Sequence, residues 1–143
     1  MFIGEYSHNM DAKGRVSMPA KFREQLGTVF YLTKGLDNCL FVFPEEEWRV
    51  FEEKLKKLPL TNKNARGFVR MFYAGATECS LDKQGRVNVP QILRTHGGLE
   101  KEVKIIGVGS RIELWSEENW DTYNNPDNIS YEDIAEHMAE LGI

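Results

Sequence analysis

Two short stretches of the chain carry an aspartate, a glycine and an arginine at the same spacing. They are DAKGRVSMP at residues 11–19 and DKQGRVNVP at residues 82–90. An aspartate that opens a turn can accept hydrogen bonds from backbone N–H groups two residues on. From four residues away it can also hold a guanidinium in one orientation through a charge-assisted pair. An arginine held in this way suits bidentate contact with guanine O6 and N7, worth roughly 1–3 kcal/mol of discrimination.

The basic residues of these stretches are therefore candidates for contact with DNA. We expect Arg15 and Arg86 to contact bases, and we expect Lys13 and Lys83 to project from the turns towards phosphates. The short helices that follow carry three more basic residues, which either add phosphate contacts or are ordinary solvated charges: Lys21, Arg23 and Arg94.

The acids and glycines are predicted to support the binding turns. Asp11 and Asp82 would orient the arginines, while Gly14 and Gly85 would supply a positive φ or a close backbone approach that other residues resist. The simpler alternative is that each aspartate and arginine only pin a hairpin.

The whole unit occurs twice in the chain. A shift of 71 positions aligns the residues from Gly4 to Gly27 with those from Gly75 to Gly98, and one inserted residue then aligns Trp48 with Trp120. A unit this small buries too little surface to be stable alone. We therefore expect the two copies to share one core about an approximate two-fold axis.

Each copy follows the pattern strand, turn, strand, helix, strand, strand, helix. Pro19 suits the first position of the first short helix. The later helix, residues 44–58, would bury one face, and a linking helix over residues 63–73 would point two phenylalanines inward. The buried residues predicted for these two helices are Trp48, Phe51, Leu55, Leu58, Phe68 and Phe72.

The predicted division has four parts. A first repeat spans residues 5–47, linking helices span 48–75, a second repeat spans 76–119, and an acidic C-terminal tail spans 120–143. The tail carries a candidate amphipathic helix over residues 130–141, whose apolar residues are Ile134, Met138 and Leu141.

Charge is unevenly distributed along the chain. Net charge is -4, but residues 117–143 hold eight acids and no Lys or Arg, so residues 1–116 carry a net +4. A mildly basic body permits nucleic-acid binding without requiring it. No apolar run approaches the ~20 residues of a membrane span, and no secretory signal is recognisable. Cys39 and Cys79 form no metal-type pair and are expected to be free thiols in a reducing cytoplasm.

The repeated segment resembles a known family. The pattern D-x-x-G-R-[VI]-x-[VI]-P-x-x-[LF]-R is similar to the swapped-hairpin DNA-binding module of the AbrB type. Two such modules in one chain, together with the opening MFIGEYSHNMDAKGR and the segment GATECSLDKQGRV, resemble the MraZ family over essentially the whole chain.

This resemblance implies both a fold and a function. The fold would be α+β, a double-split β-α-β barrel whose half-modules interleave their strands, with additional helices. The function would be sequence-specific binding to double-stranded DNA as a regulator, expected to be a repressor, of the division and cell-wall gene cluster. Members of the family assemble into rings and bind short repeated boxes upstream of their own promoter. Such a protein would be cytoplasmic and associated with the nucleoid.

Enzymatic alternatives fit the residues poorly. Each aspartate has an arginine and a lysine within four residues, which disfavours a dyad sharing a proton. His8, His96 and His137 lack metal-ligand spacing, and GVGSRI lacks the third glycine of a dinucleotide loop. We expect neither catalysis nor a cofactor nor a metal. The alternative from another class is a partner-binding module of antitoxin type, whose acidic tail engages another protein.

Overall fold

The computed structural model describes all 143 residues, Met1–Ile143. Eight strands and six helices follow one another along the chain, and a short 3-10 turn, Ala139–Leu141, comes last. The strands are β1 (Phe2–Asn9), β2 (Arg15–Ser17), β3 (Phe30–Lys34), β4 (Leu40–Pro44), β5 (Thr77–Cys79), β6 (Arg86–Asn88), β7 (Glu102–Gly109) and β8 (Ile112–Ser116). The helices are α1 (Ala20–Leu26), α2 (Glu45–Lys56), α3 (Lys63–Gly75), α4 (Gln91–Gly97), α5 (Glu117–Tyr123) and α6 (Tyr131–Met138).

The two copies exchange strands rather than folding side by side. Six strands form one antiparallel sheet in the order β1-β7-β8-β4-β3-β5, and β2 pairs with β6 in a separate two-stranded ribbon. The first strand of each copy therefore pairs with the third strand of the other copy. This interleaving confirms the predicted α+β swapped-hairpin fold.

Equivalent residues of the two copies pair with each other at two places. Val16 pairs with Val87 in the ribbon, and Phe41 pairs with Glu113 between β4 and β8. Equivalent residues of two copies can pair with each other only where an approximate two-fold axis passes between them. The axis therefore runs through the ribbon and through the centre of the large sheet.

Apolar side chains fill both faces of the large sheet. Successive residues of a strand point to opposite faces of the sheet. Leu40 and Val42 of β4 therefore pack in one core, and Phe41 and Phe43 pack in the other. The larger core also includes Val16 and Val87 from the ribbon and the buried faces of α1 and α4. The second core is covered by α2 and α3 and is rich in aromatic rings.

Three details of the helices differ from the sequence-based expectation. Pro19 lies one residue before α1, as its N-cap, rather than at the first helical position. Because α2 ends at Lys56, Leu58 falls outside the helix and is exposed rather than buried. Phe68 of α3 touches the ring of Phe72 but remains partly exposed, whereas Phe72 is fully buried.

None of the helices is long and apolar enough to cross a membrane.

Candidate nucleic-acid interface

The first turn, residues 11–15, is closed by one aspartate. Oδ1 of Asp11 accepts hydrogen bonds from the backbone N–H groups of Lys13, at 3.0 Å, and Arg15, at 2.9 Å. Its Oδ2 accepts a hydrogen bond from Nε of Arg15 at 2.7 Å. One carboxylate therefore fixes both the backbone of the turn and the direction of the guanidinium that leaves it.

The second turn, residues 82–86, has the same hydrogen bonds. Oδ1 of Asp82 accepts from the backbone N–H groups of Gln84 and Arg86, both at 2.9 Å, and Oδ2 accepts from Nε of Arg86 at 2.9 Å. Gly14 and Gly85 have φ values of +84° and +74°, which L side chains rarely adopt. The two aspartates and the two glycines thus occupy equivalent structural positions.

Hydrogen bonding also holds both carboxylates in the ionised form. The backbone N–H of Arg15 contributes most to lowering the pKa of Asp11, with smaller contributions from the Arg15 side chain and the Lys13 N–H. The backbone N–H of Arg86 does the same to the pKa of Asp82. Because donors to a carboxylate favour its charged form, both acids carry the negative charge that orients a guanidinium.

Each turn is held against a helix of the other copy. The guanidinium of Arg94 lies against Gly14, so a Cβ at position 14 would lie 2.8 Å from the arginine Cζ. The guanidinium of Arg23 contacts Gly85 in the same way. The two arginines are themselves fixed, because Nε of Arg23 donates to the Met18 carbonyl at 2.8 Å and Nε of Arg94 donates to the Val89 carbonyl at 3.0 Å.

Backbone hydrogen bonds complete the link between the copies. The N–H of Val89 donates to the Gly14 carbonyl at 2.8 Å, and the N–H of Met18 donates to the Gly85 carbonyl at 2.9 Å. Arg23 and Arg94 therefore have a structural contact that the sequence did not suggest. Phosphate contact by their remaining N–H groups stays a prediction.

The outer face of the β2-β6 ribbon presents both turn arginines. Val16 and Val87 point into the core, so alternation places Arg15 and Arg86 on the opposite face of the ribbon. Their side chains are 31% and 26% exposed. Arg15 pairs with Asn88, so it is diagonal to Arg86, and diagonal residues of a strand pair lie roughly 7–8 Å apart.

The other predicted basic contacts surround this face. Lys13 and Lys83 are exposed in the two turns, but Lys13 is the third residue of its turn and Lys83 is the second. Lys21 is exposed near the beginning of α1. Each of these three lysines lies within six residues of Arg15 or Arg86 along the chain.

Two residues of the ribbon face were not singled out from the sequence. Ser17 and Asn88 lie on the same face as the arginines, because each is two residues beyond its arginine on a strand. A serine hydroxyl and an asparagine amide can both hydrogen-bond to base edges. The period-two alternation around Val16 and Val87 was the signal that could have identified them.

Neither cysteine has a reactive thiol. Cys39 is fully buried and Cys79 is half-buried, and both thiols are free. Burial raises the pKa of Cys39 strongly, and burial with the nearby Glu78 charge raises the pKa of Cys79 to about 11. Both thiols are therefore protonated at neutral pH and are poor nucleophiles.

The fold and the interleaved turns define a tandem swapped-hairpin protein of the AbrB-like class. A family model described as "MraZ protein, putative antitoxin-like" matches twice, at residues 1–71 and 72–141. The chain belongs to the MraZ family.

Curated relatives match the chain over its full length. Proteins named "Transcriptional regulator MraZ" from Alkaliphilus metalliredigens (strain QYMF) and Alkaliphilus oremlandii (strain OhILAs) are 62% and 63% identical to it, over 100% of both chains. The protein of the same name from Clostridium tetani (strain Massachusetts / E88) is 61% identical, again over 100% of each chain.

Proposed function

We propose that this protein is a DNA-binding transcriptional regulator whose β2-β6 ribbon enters the major groove. The observation that carries the proposal is the outer face of the ribbon, where each of two partly exposed arginines is held by its own aspartate. The relatives' printed name supports the same function. In this account the protein acts by binding rather than by catalysis.

The dimensions of the ribbon suit this role. The major groove of B-DNA is about 12 Å wide and admits a two-stranded β-ribbon. Arginines roughly 7–8 Å apart on a diagonal would span about two base-pair steps of 3.4 Å. Because each guanidinium is already oriented by a carboxylate, little conformational entropy is lost on contact with a guanine.

The lysines and the helix arginines would contribute affinity rather than sequence preference. Lys13 and Lys83 would contact phosphates beside the ribbon, as would Lys21 and the free N–H groups of Arg23 and Arg94. Each phosphate neutralised releases counterions, so affinity should fall steeply as salt is raised.

One chain presents only two arginine turns, which is a small binding surface. We propose that several chains assemble into a ring, so that repeated DNA boxes engage several ribbons at once. Linked contacts of this kind raise affinity by ~10²–10⁴ without new chemistry. The resemblance to the MraZ family supports a target in the division and cell-wall gene cluster, including the protein's own promoter, and repression through promoter occupancy. The protein would then act in the cytoplasm, at the nucleoid.

A titration of purified protein against the DNA upstream of its own gene tests this proposal. Scrambled DNA of equal length gives the non-specific affinity, and the variants are Arg15→Ala and Arg86→Ala. Arg49→Ala is the matched control, because Arg49 also pairs with an acid four residues away, Glu45 at 2.7 Å, but lies on α2.

We expect each ribbon variant to lose about 10-fold or more in affinity for native DNA, and Arg49→Ala to bind as the unaltered protein does. Equal binding of native and scrambled DNA, with full affinity in both ribbon variants, would refute the proposal.

A further inference from the structure

The C-terminal helix α6 has an apolar side that the rest of its own chain covers only in part. Ile134 is 37% exposed, and in the turn that follows Leu141 is 74% exposed. The residues between these positions and around them are acidic: residues 126–143 contain five acids and no Lys or Arg. Met138, between Ile134 and Leu141, is half-buried. An amphipathic acidic helix therefore lies at the end of the chain with part of its apolar side open to solvent.

An apolar groove with a basic rim lies where α2 ends and α3 begins. It encloses about 300 Å³ and is lined mainly by apolar side chains, with cations at its rim. The apolar lining includes Leu55, Leu58, Leu60 and Val69, and Leu60 is 81% exposed. The cations at the rim are Lys56, Arg66 and Arg70.

The segment that forms this groove is uniformly basic. Residues 54–70 contain six Lys and Arg and no acid. Only Lys56 has an ion-pair partner, Glu53 at 3.3 Å, and this pair is exposed. Uncompensated like charges this close repel one another, so an acidic ligand would relieve the repulsion.

We propose that α6 and the turn after it dock into the α2-α3 groove of a second copy of this chain. Ile134, Met138 and Leu141 would fill the apolar groove, because residues three and four apart share one face of a helix. Asp133 and Glu140 are the acids nearest this apolar face on the helix and would lie towards the cations at the rim. The complementarity of charge and of apolar surface identifies the occupant as another copy.

Such a contact joins two different surfaces of identical chains. Head-to-tail contacts of this kind close into rings when the rotation between neighbours allows it, and otherwise extend into filaments. The inference thus rests on the oligomer of the proposed function and supplies an interface for it. Each chain would give one helix and receive one, so every groove in a closed ring would be filled.

Paired charge reversal tests this contact. One variant, Arg66→Glu with Arg70→Glu, reverses two of the three rim cations and keeps the acidic tail. The other, Asp133→Lys with Glu140→Lys, reverses the two acids beside the apolar face and keeps the basic groove. A control variant, Glu24→Lys with Glu100→Lys, makes the same charge change as the tail variant at exposed positions of the body.

The readout is mass in solution at micromolar concentration, with the unfolding midpoint measured to show that each variant is folded. We expect each reversed variant alone to associate at least 10-fold more weakly than the unaltered chain. An equimolar mixture should regain the full mass, because the unaltered groove of one variant then meets the unaltered tail of the other, and the two reversed surfaces meet each other. The control should keep its mass.

Two outcomes would overturn the inference alone. If both variants keep the oligomer of the unaltered protein, the ring is built from other surfaces. If both variants lose it and the mixture does not recover, the tail and the groove do not pair with each other between copies. An unaltered protein that is monomeric refutes the ring as well, whereas the DNA titration with Arg15→Ala and Arg86→Ala tests the ribbon independently.

Discussion

The two turns of the ribbon have the same scaffold but present different side chains. In both, one aspartate binds two backbone N–H groups and an arginine, and a glycine with positive φ contacts the opposite helix. Apart from the buried pair Met18 and Val89, they differ at three equivalent positions, which are Ala12 and Lys83, Lys13 and Gln84, and Ser17 and Asn88. Folding constrains the residues that close a turn, while the outward positions can diverge. A nearly symmetric fold can therefore suit an asymmetric base sequence.

The turns also differ in their electrostatic contacts. Nη1 of Arg86 lies 3.8 Å from Oδ2 of Asp11, in addition to the pair with its own Asp82. The corresponding pair between Arg15 and Asp82 is absent. Asp11 thus influences both arginines, whereas Asp82 influences one. The predictions below use these differences between the turns.

The largest effect is expected from the turn glycines. Gly14→Ala should lower the free energy of unfolding by about 3 kcal/mol for two reasons. Alanine is strained at positive φ, and its Cβ would lie only 3.0 Å from the Val89 carbonyl oxygen. Gly85→Ala should cost about 2 kcal/mol, because its new Cβ meets the Arg23 side chain, which can swing aside at the expense of its hydrogen bond to the Met18 carbonyl.

Urea unfolding measures both changes. Gly67→Ala is the control, since Gly67 lies in α3 with open space around it and should gain up to about 1 kcal/mol from helix propensity. Equal costs at Gly14 and Gly85 would show that the backbone contact at Val89 is not what separates the turns.

A smaller effect is expected from the aspartates. Asp11→Asn keeps an oxygen for the backbone N–H groups but places an amide against Nε of Arg15, so the orientation of the arginine is lost. The ratio of native to scrambled DNA affinity should fall about 5-fold, equivalent to about 1 kcal/mol. Asp82→Asn should reduce the ratio less, because Asp82 contacts only Arg86. The control is Glu45→Gln on α2.

Binding titrations on both DNAs give this ratio directly. An Asp82→Asn effect larger than that of Asp11→Asn would contradict the role assigned to the additional Arg86–Asp11 contact.

Much of this turn structure followed from the sequence, because its determinants are local. The Asp-x-x-x-Arg spacing, the glycine and the alternation around Val16 predict a hairpin with an oriented arginine. The position of Arg94 against Gly14 did not follow, because it depends on strand exchange between residues far apart in the chain. The exposure of Leu58 was also missed, since helical periodicity does not indicate that α2 ends at Lys56.

The lysines should show a still smaller and less specific effect. Lys13→Ala and Lys83→Ala should each weaken native and scrambled DNA binding equally, and should reduce the slope of log affinity against log salt by about 1. Titrations at several salt concentrations measure this slope. A change in the ratio of native to scrambled DNA affinity would mean that the lysine contacts a base. The two turns would then differ in the bases they recognise as well as in the phosphates they contact.

Acid should affect the turns least under ordinary conditions. Because the folded pKa of Asp11 and of Asp82 is lowered, each ionised carboxylate stabilises the fold above the unfolded pKa of about 3.9. That contribution is lost only as pH falls through the lower folded pKa. Carboxyl NMR titration should therefore place both midpoints below about 3.9, and a midpoint above this value at either aspartate would contradict the observed hydrogen bonds.

The central claim is that Arg15 and Arg86 contact guanines through the major groove. It is tested most directly by a double-mutant cycle in which single guanines of the bound site are replaced by 7-deazaguanine, which lacks the N7 acceptor. We predict that one guanine couples to Arg15→Ala and another to Arg86→Ala, each by about 1–3 kcal/mol. Additivity within about 0.3 kcal/mol at every guanine would contradict base contact by either arginine.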